Sequence, residues 1–186
     1  MPPKAMVSGE DIVKAAFQLT REYGFNYVNA RSIAKELNCS THPIFRVYEN
    51  MSELKKDLFD YIEKYYNHFI ESQMSDTNLF LSIGMAYIRF ARREGNLFRM
   101  MFMSHNFELN DLIELIDGED NRDIIRAISS ASAIDEERAK ELYLDVWLYT
   151  HGIASMISTN NIKLTDEQIE KMLKEVYAAL KKKETL

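Results

Sequence analysis

An all-α fold is expected from three features of the 186-residue chain. It carries only six Gly and three Pro, few for a turn-rich β protein. Capping residues recur just ahead of segments whose apolar residues return every three or four positions, as one face of a helix requires. No run shows the period-two alternation of a half-buried strand. About nine or ten helices are anticipated from this punctuation.

Ser8 precedes Glu10 and Asp11, followed by Ile12, Ala15, Ala16 and Leu19 on one stripe, so a first helix starts there and Gly24 stops it. Asn29 can cap a second, short helix over Ala30–Leu37, with Ile33, Ala34 and Leu37 on one face. Asn38-Cys39-Ser40 breaks it before a third helix, about Thr41–Val47, in which Ile44 and Val47 can turn inward. Pro43 is tolerated in that first turn, and Ser40 is the candidate cap. Asn50 with Glu53 at the third helical position opens a long amphipathic helix bearing Leu54, Leu58, Ile62 and Phe69. Further helices are expected from Ser75-Asp76 to about Glu94, over Asp111–Asp117, over Arg122–Ser130, from Asp135 to about Ser158, and after the capping box Thr165–Gln168. Gly95 separates a Met- and Phe-rich turn, Leu97–Met103, from the helix before it.

Composition bounds the function classes. One Cys excludes a disulfide framework or a multi-cysteine zinc site, and no Glu-x-x-His pair, His-Glu-x-x-His, Gly-rich phosphate loop or Gly-x-Ser-x-Gly occurs. No enzyme, metal site or cofactor is therefore expected. No stretch of eighteen apolar residues is present, and Met1-Pro2-Pro3-Lys4 lacks a secretory core, so a soluble cytoplasmic protein is anticipated, with no membrane partner. The formal charge of −6 argues at first against nucleic acid, but it is unevenly spread. Residues 1–56 hold eight bases against six acids, whereas 108–123 hold seven acids and one base, so the two parts of the chain face different partners.

The three N-terminal helices have the spacing of a helix-turn-helix, whose last member can enter the DNA major groove. Thr41, His42, Phe45 and Arg46 bring polar or amphipathic groups to the start and one side of that member. The run Ile12-x-x-Ala15-Ala16…Tyr23-Gly24-Phe25…Ser32-Ile33-Ala34…Leu37-Asn38-Cys39-Ser40…Ile44-Phe45-x-x-Tyr48-x-Asn50…Glu53-Leu54 resembles the DNA-binding domain of TetR-family transcriptional regulators. The resemblance covers about residues 8–56. It implies a head, residues 1–50, and a ligand-sensing, dimerising body, residues 51–186, joined by the long helix from about residue 51. It also implies a homodimer on a palindromic double-stranded operator, most simply a repressor released by a small apolar or amphipathic effector.

Departures from the family pattern are confined to a few positions. Asn38 stands for the turn glycine, His42-Pro43 for a small pair, Phe45 for a tyrosine, Tyr48 for a phenylalanine and Met51 for a lysine, whose role Lys55 could take over. The expected DNA-facing set is Arg31, Thr41, His42, Pro43, Phe45, Arg46, Tyr48 and Lys55. Tyr87, Met101, Tyr143, Trp147 and His151 form the expected effector-binding set, from a Met- and aromatic-rich supply suited to an adaptable cavity. Trp147, His151 and Gly152 resemble a Trp…His-Gly feature of some family bodies, Gly152 being the candidate for close helix contact. The last two helices, about 136–158 and 166–181, are the expected dimer surface. The alternative is a DNA-binding structural or protein-interaction protein of the same fold without an inducer.

Overall fold

Capping side chains mark most of the helix starts in the computed structural model, which describes residues 7–75, 78–104, 118 and 121–182. Among these residues the chain is all-α, with nine α-helices, one 3-10 turn and no strand. Helix α1 spans Gly9–Tyr23, the 3-10 turn Phe25–Tyr27, α2 Ala30–Glu36, α3 His42–Val47, α4 Met51–Glu71 and α5 Leu79–Arg93. Helix α6 spans Gly95–Phe102, α7 Arg122–Ser132, α8 Glu136–Asn160 and α9 Asp166–Lys181. The helix expected over Asp111–Asp117, Asp76, and most of the acidic stretch 108–123 lie outside the described residues.

Ser8 and Asp11 exchange side-chain and backbone bonds at the start of α1, and Thr165 and Gln168 do the same at α9. At α4 the expected box is shifted: Asn50 Oδ1 accepts from the amides of Ser52 and Glu53, but Glu53 accepts from the amide of Glu49, one residue earlier. Helix α5 begins at Leu79, later than Ser75 had suggested, because Asn78 supplies the cap-like contact to the Leu81 amide at 3.4 Å. Leu97–Met103, expected as a turn, is largely the regular helix α6.

The chain divides into two compact units. The first takes in the described residues up to His68 together with those from Glu94 to 104; the second takes in Phe69–Arg93 with residues 118 and 121–182. In the first unit α1 packs on α2, α3 and α6. Ile12, Ala16, Ile33, Ile44, Leu54, Leu58, Ile62, Leu97 and Phe98 are fully excluded from solvent. Each large aliphatic of that set contributes about 1.5–3 kcal/mol of burial free energy. Phe17 meets the edges of Tyr61 and Tyr65, both at 5.2 Å.

In the second unit α8 packs along α5, α7 and α9. Its core includes Ile125, Ile128, Ala139, Leu142, Tyr143 and Val146, flanked by Phe80 and Tyr177. Gly152 does not serve close packing within this unit: a Cβ there would meet nothing within 4 Å. The glycine that does is Gly84 of α5, where a Cβ would lie 3.3 Å from Leu173 of α9.

Candidate nucleic-acid interface and sensor residues

The turn between α2 and α3 is built from backbone bonds that its residues favour. Asn29 Oδ1 accepts from the amides of Arg31 and Ser32 at 3.0 and 3.1 Å, and Ser32 returns a bond to the Asn29 amide, fixing the start of α2. At its other end Asn38 takes φ 50°. The Cys39 amide then bonds to Ala34 at 2.9 Å and the Asn38 amide to Lys35 at 3.2 Å. These two bonds are the Schellman arrangement, which needs a left-handed residue just past the helix, and Asn is the non-glycine that adopts it most readily. Asn38 thereby does the work a glycine would do at this turn.

Helix α3 starts one residue later than a Ser40 cap would require. Thr41 precedes it in helical conformation with no side-chain cap bond, and Pro43 falls within the first turn, where no donor is lost. Ile44 is fully buried and seats the helix on the first unit. His42, Phe45 and Arg46, at positions i, i+3 and i+4, share the opposite face and are all exposed, Phe45 by 49%. Thr41 is half-buried beside them, and Arg31 is exposed in the first turn of α2. Among the described residues neither Arg31 nor Arg46 pairs with a carboxylate, so both guanidiniums are available for an anion. Val47 was expected to turn inward but stays 39% exposed, because the six-residue helix ends there and only Ile44 reaches the core.

Tyr48 departs from its expected place on the DNA-facing surface. It is buried, and its hydroxyl donates to Asp57 of α4 at 2.9 Å. Burial, then the neighbouring carboxylate, raises its pKa well above the ordinary phenol value. Tyr48 therefore braces α3 against α4 and presents no hydroxyl outward. Lys55 is exposed on α4, with its ammonium 4.8 Å from the centre of the Phe25 ring, a cation–π contact that holds it beside the 3-10 turn.

The expected effector-binding residues do not fall in one unit. Met101 is buried in the first unit, whereas Tyr87, Tyr143, Trp147 and His151 belong to the second. Three of those four come together: the Tyr87 hydroxyl lies 2.8 Å from His151 Nδ1, and the Trp147 indole stacks on the imidazole at 5.1 Å and 15°. Tyr87 is buried and His151 half-buried, and burial lowers the histidine pKa, favouring the neutral ring. Tyr143 stands apart from them, donating to Asn121 at 2.9 Å, with its pKa pushed up by burial to about 12.

Two polar clusters escaped the sequence. Glu94, at the start of α6, has a side chain only 1% exposed and accepts two bonds from Arg21 of α1, at 2.6 and 2.7 Å, and one from Tyr65 of α4 at 3.0 Å. Asn96 adds a bond to the Arg21 carbonyl. In the second unit Arg89 and Arg92 both pair with Asp166 at the start of α9, at 2.7 Å each, and Arg92 also reaches the Leu164 carbonyl. The only signal for either was a carboxylate at a helix start. Their arginine partners lie more than seventy residues away in sequence, beyond any local pattern.

No family model matches the chain, and no curated protein matches it. Among the described residues no helix is long and apolar enough to cross a membrane, and no group of three or more His, Cys, Asp or Glu could hold a metal ion.

Proposed function

We propose that the chain is a sequence-specific DNA-binding transcriptional regulator of the TetR type, acting in the cytoplasm as a homodimer and released from its operator by a small amphipathic effector. The observation that supports this reading best is the face of α3: His42, Phe45 and Arg46 exposed together on the side opposite the buried anchor Ile44. A short helix held by one apolar residue, with hydrogen-bonding groups and an unpaired arginine outward, has the chemistry of a major-groove reader. Arg31 and Lys55 supply positive charge for the phosphate backbone, and Thr41 and Pro43 sit at the edge of the same face.

On α8, Leu148 and Met156 are 43% and 49% exposed, with exposed Gly152 midway between them at the same four-residue spacing. This apolar stripe suits contact with a second copy, in which the absent side chain of Gly152 allows the helices to approach. A two-fold pair would present its reading helices to half-sites roughly 34–36 Å apart. The stacked Trp147–His151–Tyr87 group is the proposed effector-recognition point, acting through different affinities for the DNA-competent and DNA-incompetent states.

The test is selection of bound duplexes from a random library with the full chain. A palindromic consensus is the expected result, and Arg46→Ala should weaken binding to it by about 5- to 150-fold, the range of one lost bidentate base contact. Binding without sequence preference would instead favour an architectural role. A variant that binds the consensus normally would remove α3 from the reading.

A further inference from the structure

The recognition face carries one residue that hydrogen bonding does not explain. Phe45 lies between His42 and Arg46 on the solvent side of α3, 49% exposed, with no ring partner among the described residues. An aromatic ring left in water on a polar face forgoes much of the burial free energy available to it. Its neighbours on that face can bond to base edges, Arg46 to acceptors such as guanine O6 and N7, and His42 to either kind of group. The ring can do neither. Among the groups that base edges present in the major groove, the apolar one is the 5-methyl of thymine.

We propose that Phe45 reads a thymine 5-methyl group within each half-site, so that the operator is specified there by an apolar contact beside the base or phosphate contacts of Arg46. The inference rests on the regulator reading and goes beyond it by naming the base and the atom recognised. It gives Phe45 a role that needs no hydroxyl. The residue selects a thymine without touching a phosphate, so its contribution is sensitive to sequence and nearly insensitive to salt.

Replacement of thymine by deoxyuridine removes that methyl and leaves every hydrogen-bonding group in place. Operators matching the selected consensus are synthesised with each thymine replaced in turn, and their affinities are measured for the natural chain and for Phe45→Ala. One thymine per half-site should lose about fourfold in affinity on demethylation with the natural chain, the value of one buried methyl-sized group. Phe45→Ala should lose at least as much on the thymine operator and show no further loss with uracil at that position. Phe45 is exposed, so the variant should keep the helicity and melting temperature of the natural chain. Unchanged affinity for every uracil operator overturns the inference, as does a methyl effect that persists in Phe45→Ala. Either result leaves the regulator reading standing, whereas failure to enrich any sequence overturns both.

Discussion

Arg21 and Glu94 make the most demanding single contact in the first unit. The carboxylate is almost wholly buried, while the guanidinium is 36% exposed at its side chain. Removal of the arginine takes two charge-assisted bonds from a carboxylate that is almost wholly buried, while the bond from Tyr65 remains. Breaking a fully buried pair costs about 3–5 kcal/mol, and solvent screening of the exposed half lowers that here. Arg21→Met should reduce unfolding stability by about 2 kcal/mol in urea titration. A loss below about 0.5 kcal/mol would mean that water replaces the pair freely. His151 gives a second residue-scale expectation. Burial holds its folded pKa below the ordinary 6.5, so the unfolded chain takes up a proton first as pH falls. Its contribution is complete above that value and declines as pH drops through it. Asp166, held below the ordinary carboxylate value of 3.8 chiefly by Arg92 and then Arg89, acts the same way in a lower window. Melting temperature should therefore fall as pH drops through and below the ordinary histidine value of 6.5, and His151→Gln should flatten that part of the profile. An unchanged slope in the variant would assign the effect elsewhere.

At the scale of elements, the caps were the most legible part of the chain. Ser8, Asn29, Asp135 and Thr165 all accept from backbone amides at the helix starts anticipated for them. These bonds close within three residues, so the information that specifies them is local. The errors have the same origin. Ser75 and Asn78 are both competent caps three positions apart, and it is Asn78 that accepts from the Leu81 amide at the observed start of α5. Tyr48 looked like a surface residue because its partner Asp57 sits on the next helix, where no periodicity reports it. The outward face of α3 was legible apart from Val47, since one buried anchor in six residues dictates which side the others take. Asn38 is the sharpest test at this scale. Its left-handed backbone should make Asn38→Gly nearly neutral and Asn38→Ala destabilising by about 1–2 kcal/mol. Chemical denaturation of the pair checks it, and equal stabilities would show that the turn relaxes to another shape.

For the molecule as a whole, the formal charge of −6 makes general attraction to DNA weak, so under the proposed regulator reading operator affinity would have to come from paired, geometrically matched half-sites. If the proposed dimer forms through the exposed stripe of α8, the paired substitution Leu148→Glu with Met156→Glu should leave the chain folded and shift it to a monomer in sedimentation, with a large loss of affinity for any selected operator. A dimer that survives both substitutions would move the proposed interface off α8. The division into units was the least legible feature of all. A boundary near residue 50 follows from where the motif ends, whereas the first unit also includes most of α4 and the whole of α6. That unit is assembled from two stretches of chain separated in sequence by α5, and its buried carboxylate comes from the later one. Timing during synthesis follows from this. When residue 68 leaves the ribosome α1–α3 have already emerged, but Glu94, the partner of Arg21, has not. Translation from residue 68 to residue 102 takes about 2–7 s at 5–20 residues per second. For that interval the emerged part of the first unit has to persist without α6, exposed to chaperones and proteases, and it becomes a finished unit only after α5, a helix of the other unit, has also emerged.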